Sequence, residues 1–153
     1  MFNDTSSAYS DERVADAASR HIINDSLDLS FVYLGRTDSA GHESGWMSDE
    51  YIKAISDADR CVGTLLKSLA VAEIDVQGVL LTDHGGHDRS HGTDIQEDMT
   101  IPWIAFGNCV KSGHMISSSV RIFDTCPTIA HMLGLSMAKE WDGLVIEDAF
   151  LKS

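Results

Sequence analysis

Apolar positions recur along this chain with two different periods. Between residues 48 and 69, Tyr51, Ile55, Ala58, Val62, Leu65, Leu66 and Leu69 repeat every three or four positions, the spacing that lines one face of an α-helix. A shorter stretch of the same kind, residues 11–24, carries Val14, Ala18 and Ile22, with Asp11 and Glu12 at the end where a helix dipole favours negative charge. A third candidate helix starts at Asp124 or Thr125, has Pro127 in its first turn, and turns Ile129, Met132 and Leu133 inward.

Between these lie compact runs of β-branched and aromatic residues. Residues 29–34 (LSFVYL) stop at Gly35 and read as a buried strand, as do residues 76–82 (VQGVLLT) and 101–106, where Pro102 sits near the start, a place that strands tolerate. Residues 120–123 suggest one more short strand, and Asp142-Gly143 a turn. Alternation of strand and helix predicts an α/β layered fold with a mostly parallel sheet flanked by helices. One domain is expected over residues 1–153, with the polar, Ser-rich residues 1–10 loose.

Composition refines this picture. With 43% apolar and 23% charged residues and two prolines, the chain has the makings of a globular core. Its formal charge of −13 argues against a nucleic-acid backbone as partner. Cys61, Cys109 and Cys126 are odd in number and lack CxxC spacing, so they are read as incidental thiols. Neither a membrane span nor a signal region is found, which leaves the cytoplasm as the default compartment.

The candidate chemistry sits where strands end, the edge at which α/β sheets collect ligands. Asp38 and His42, four residues apart with Gly41 between them, follow the first strand in what reads as a turn; Asp83 and His84, followed by Gly85 and Gly86, follow the second; His91-Gly92 comes seven residues on. Carboxylate oxygen combined with imidazole nitrogen suits Zn²⁺, Mn²⁺ or Fe better than Ca²⁺. Surface turns rich in Asp, His and Gly are the plain alternative. His87 fits hydrogen bonding better than ligation, and Trp46 fits packing better than a substrate wall.

The segments YLGRTDSAGHESGWMSDEY, LLTDHGGHDRSHGTDIQEDMTIPWIAFG and FDTCPTIAHMLGL, in that order, resemble the alkaline phosphatase superfamily, in particular its type I phosphodiesterase and nucleotide pyrophosphatase branch. The resemblance implies two divalent ions, zinc or manganese, with Asp38, His42 and His91 as ligands of one and Asp83 and His84 as ligands of the other. It also implies a phosphate-ester substrate, a further aspartate, and a Ser or Thr nucleophile placed well ahead of the D-x-x-x-H motif. Only 37 residues precede Asp38, and Asp4-Thr5 does not match that wide separation. The expectation is therefore the C-terminal portion of an alkaline-phosphatase-like domain, without a catalytic nucleophile of its own, inactive alone, weak in its second metal site, and able to self-associate through an uncovered sheet edge. Phosphomutase, phosphomonoesterase or sulfatase chemistry of the same superfamily, or a non-catalytic metal-binding or interaction domain, are the alternatives.

Overall fold

The computed structural model describes residues 10–151, which fold as two compact units. The first comprises the chain up to Ile74 together with His84–Thr100; the second comprises Asp75–Asp83 and the chain from Ile101 onward. The Asp4-Thr5 pair lies outside the described residues. Ser10, expected to be loose, is ordered as a helix cap, its Oγ accepting from the Arg13 N–H at 3.2 Å.

The first unit is helical. Helices α1 (Asp11–Asp25) and α3 (Asp49–Val71) follow their apolar periodicity closely and pack against each other. Ala15, Ala17, Ala54, Cys61 and Leu69 are buried in this unit, and small residues allow helices to approach closely. Ser48 caps α3 by accepting from the Tyr51 N–H at 3.2 Å.

Between them runs α2 (Arg36–Ser44), which also packs on α3. Here the sequence reading needs correction, because Asp38 and His42 lie on a helix and not in a turn. Nothing in RTDSAGHES has an apolar stripe; the helix is held from outside. The buried carboxylate of Asp11 accepts from the Gly35 N–H at 3.0 Å and the Arg36 N–H at 3.4 Å, satisfying donors that a helix start leaves open. Ala40 and Gly41 form its buried face.

The expected strand at 29–34 is likewise absent from any ladder among the described residues. Val32 and Leu34 are half-buried, whereas Leu29 and Tyr33 are exposed and Phe31 is 90% exposed. The run has the alternation of a strand but joins no sheet among the described residues, and a strand exists only through its partner.

In the second unit, β1 (Gly78–Leu81) pairs with β2 (Trp103–Phe106), Gly78 opposite Phe106 and Leu81 opposite Trp103. This ladder is antiparallel, so the mostly parallel sheet expected from the sequence is not what the described residues form. Helix α5 (Thr125–Met132) starts where expected, with Pro127 buried in its first turn. Residues 120–123, expected as a strand, instead lead into a 3-10 turn, Ile122–Asp124. The cause is Asp124: it is 1% exposed, and its carboxylate accepts from the Arg121 N–H at 2.8 Å, the Arg121 guanidinium and the Leu144 N–H, which curls the chain. A core of Ile146, Ala149 and Phe150 packs against Trp103, Val110 and Met132. The three cysteines are free.

Candidate metal centre

On α2, Asp38 and His42 are related by i,i+4, which stacks them on one face of the helix. The other imidazoles come from the loop at 84–95, which a short helix, α4 (Gln96–Met99), anchors. Two glycines allow that anchoring. A Cβ on Gly85 would stand 2.0 Å from the Glu97 carbonyl oxygen, and one on Gly86 would stand 2.2 Å from the Trp46 ring. Gly85 and Gly86 donate to the carbonyls of Asp98 and Glu97 at 2.8 and 3.0 Å. The two glycines thus admit the backbone of α4 and an indole.

Trp46 is the wedge between the two segments that carry the candidate residues. Its ring fills the space left by Gly41 on one side and Gly86 on the other and meets His42 and His91 edge-on at 5.2 and 5.8 Å, while its backbone N–H donates to the Asp88 carbonyl at 2.7 Å. Packing, not a substrate wall, is what the indole does here.

The outcome is a convergence on one oxygen. Asp38 Oδ1 is fully buried and has no hydrogen-bond partner, although the side chain as a whole is 37% exposed. Around it stand the Nε2 atoms of His42 at 3.5 Å, His91 at 3.7 Å and His84 at 3.8 Å. These separations are too long for hydrogen bonds. Asp38, His84 and His91 each bring a ligand atom within 4.8 Å of the other two. The His84 and His91 rings are stacked, with centroids 3.6 Å apart.

Ring tautomers sharpen the picture. His42 Nδ1 lies 3.0 Å from the Arg89 carbonyl oxygen and His84 Nδ1 lies 2.7 Å from the Gly85 carbonyl oxygen. A carbonyl only accepts, so both Nδ1 atoms donate their protons to it, and in the neutral form of such a ring Nε2 is the atom that offers a lone pair, here on the side facing Asp38. Lone pairs converging on a buried carboxylate oxygen repel one another unless a cation stands among them. Backbone carbonyls fixing Nδ1 are also what orients metal-ligating histidines elsewhere.

Of the five residues singled out from the sequence, the structure brings four together: Asp38, His42, His84 and His91. Asp83 ends the β1 segment and belongs to the second unit. His87 is turned away from the cluster, its Nδ1 2.8 Å from Asp98 Oδ1, in keeping with the hydrogen-bonding reading. Asp98 itself, which no motif marks, was missed. An acid three residues before a proline-marked strand is the trace it leaves in the sequence.

Over parts of its length the chain is similar to several known proteins. The chain is 26% identical over 117 residues to 2,3-bisphosphoglycerate-independent phosphoglycerate mutase of Shewanella frigidimarina, covering 72% of this chain and 21% of that protein. It is 41% identical over 56 residues to ectonucleotide pyrophosphatase/phosphodiesterase family member 1 of Mus musculus, covering 35% of this chain and 6% of that protein. It is 38% identical over 65 residues to venom phosphodiesterase 2 of Crotalus adamanteus, covering 41% and 8% respectively. The chain thus spans about a fifth or less of the length of these relatives. Among the described residues no helix is long and apolar enough to cross a membrane. The family profile of type I phosphodiesterase / nucleotide pyrophosphatase matches residues 2–104, two thirds of the sequence, and the chain belongs to that family.

Proposed function

We propose that the chain carries the metal-binding part of a divalent-metal-dependent hydrolase of the phosphodiesterase and nucleotide pyrophosphatase type, which cleaves phosphoric ester or pyrophosphate bonds when complete. The observation that carries this is Asp38 Oδ1, buried without a hydrogen bond amid three imidazole Nε2 atoms. Two imidazole nitrogens and a carboxylate oxygen, from His42, His91 and Asp38, are a donor set that fits Zn²⁺, with Mn²⁺ as second choice. The residues present fit the ion the family implies.

Asp38, His42 and His91 are assigned to one ion and Asp83 with His84 to a second. The 3.8 Å approach of His84 to Asp38 supports a single cluster. Divalent ions at such a site activate a nucleophile and stabilise charge on phosphoryl oxygens. This chain's own contribution is to hold the ligand atoms ready: α2 presents Asp38 and His42, and the Arg89 and Gly85 carbonyls fix the two imidazole tautomers. The nucleophile and the further aspartate are assigned to parts of the protein outside these 153 residues. The run at 29–34 is assigned to the mostly parallel sheet of an alkaline-phosphatase-like fold, a reading supported by its one covered and one bare face.

Dialysis against Zn²⁺ followed by metal analysis tests the proposal. The expected result is one tightly held equivalent, lost in Asp38→Asn, with no cleavage of a chromogenic phosphodiester by this chain alone. Absence of tight metal refutes the metal site; robust, chelator-sensitive turnover refutes the division of roles. The match to a phosphoglycerate mutase over 72% of the chain favours phosphoryl transfer as the second reading, and assays of the complete protein with phosphomonoester and phosphodiester substrates separate the two.

A further inference from the structure

We infer that Asp98 is a positioning residue for the metal centre, the fixed point from which the loop carrying His84 and His91 is hung. This rests on the metal reading of the cluster proposed above.

Asp98 is 3% exposed, and both its carboxylate oxygens are in use. Oδ1 takes the His87 Nδ1–H at 2.8 Å, and Oδ2 takes the Thr93 N–H and the Thr93 hydroxyl, each at 2.8 Å. Its own carbonyl accepts from Gly85, and the carbonyl of Glu97 accepts from Gly86. A reciprocal pair between His87 and Ser90, at 3.0 and 2.9 Å, closes the turn between. Two adjacent residues of α4 thereby tie down positions 85, 86, 87 and 93. His84 stands immediately before the first of these ties, and His91 stands between the last two.

The consequence follows from the cost of ordering. Bringing two imidazoles from a loop at 84–95 to one oxygen requires many backbone torsions to be fixed, at about 1 kcal/mol or more of entropy per residue. A loop fixed before the ion arrives does not charge that cost to binding. Asp98 supplies the fixing through charge-assisted hydrogen bonds, which are about twice as strong as neutral ones. It touches neither His84 nor His91 through its carboxylate and acts only through the loop. Removing it leaves the Thr93 N–H, the Thr93 hydroxyl and the His87 N–H without their acceptor.

The experiment is calorimetric titration of the full chain with Zn²⁺, paired with the visible absorption spectrum at Co²⁺ saturation. Asp98→Ala is expected to weaken Zn²⁺ binding by about ten-fold or more and to alter the cobalt ligand-field bands, a signature of ligand geometry that a simple loss of stability does not move. Asp98→Asn should recover most of both, because an amide oxygen still accepts from Thr93 while the neutral His87 ring can switch tautomer and accept from the amide. Thr93→Val, which keeps the carboxylate, should weaken binding in the same direction by less than Asp98→Ala. Should Asp98→Ala fail to fold, Asp98→Asn and Thr93→Val carry the test, and wild-type affinity in Thr93→Val overturns the inference. Wild-type affinity and spectrum in a folded Asp98→Ala, alongside loss of binding in Asp38→Asn, overturns it while leaving the metal site standing. No Zn²⁺ or Co²⁺ binding by the wild-type chain removes the metal reading and this inference with it.

Discussion

Replacing Gly85 with alanine adds one methyl group where the chain has no space. Its Cβ would lie 2.0 Å from the Glu97 carbonyl oxygen and 3.0 Å from that of Thr100. Both are backbone atoms, so no side chain can swing aside. The loop and α4 must part by more than an ångström, disrupting the Gly85 to Asp98 and Gly86 to Glu97 hydrogen bonds. Overpacking costs about 1–3 kcal/mol, and each buried hydrogen bond about 1 kcal/mol. Together these give a loss of about 3–5 kcal/mol, or about 6–20 °C in Tm at about 2–4 °C per kcal/mol for a chain of this length. Gly63 is the matched control: it lies exposed within α3, where an added Cβ meets nothing within 4 Å. Gly63→Ala should raise stability by about 0.5–1 kcal/mol through helix propensity alone. Thermal melts followed by circular dichroism, with chelator present so that metal affinity plays no part, measure both. A Gly85→Ala melt within about 2 °C of wild type would show that the tight approach of loop to α4 is not real, and with it the account of how His84 is placed.

Two further outcomes are expected. Asp98 holds the His87 imidazole above its ordinary range, while the His87 ring, followed by the Thr93 N–H and hydroxyl, holds the Asp98 carboxyl down at about 2. The His87 contribution is complete below about pH 6.5 and fades as pH rises through the elevated value; the Asp98 contribution is complete above about pH 4 and fades as pH falls through about 2. Metal-free Tm should therefore peak between about pH 4 and 6.5, and Asp98→Asn should flatten both limbs; an unchanged profile in that variant refutes the pairing. The bare residues Leu29, Phe31 and Tyr33 should drive self-association, as exposed apolar strand-like runs do. Sedimentation velocity should show a dimer or larger species that Phe31→Lys reduces to monomer, and a strictly monomeric wild type at high concentration counts against the proposal.

How much of this was legible in the sequence depends on which physics fixes each part. Helices α1 and α3 were readable because a long amphipathic stripe is a local property, repeated over enough turns to dominate. Helix α5 was readable from its capping position and its proline. The candidate donor residues were legible too, since DxxxH, DHG and HG are short motifs whose donor chemistry is written in residue types. Helix α2 was not, because its nine residues carry no apolar stripe; what makes them helical is the carboxylate of Asp11, 24 residues away, capping Gly35.

The sequence by itself determined which candidate donor atoms this chain offers and the family to which its motifs point. Tertiary structure decided which of them meet. Asp38 and His42 share a helical face only because α2 is capped from α1, and His84 reaches Asp38 only because Gly85, Gly86 and Asp98 seat its loop against α4. The same holds for the LSFVYL run, whose residues prefer a strand but whose ladder needs a partner. Local preference is a property of neighbours in sequence, whereas a cap, a ladder or a ligand set is made between groups far apart in it, and packing alone brings those together.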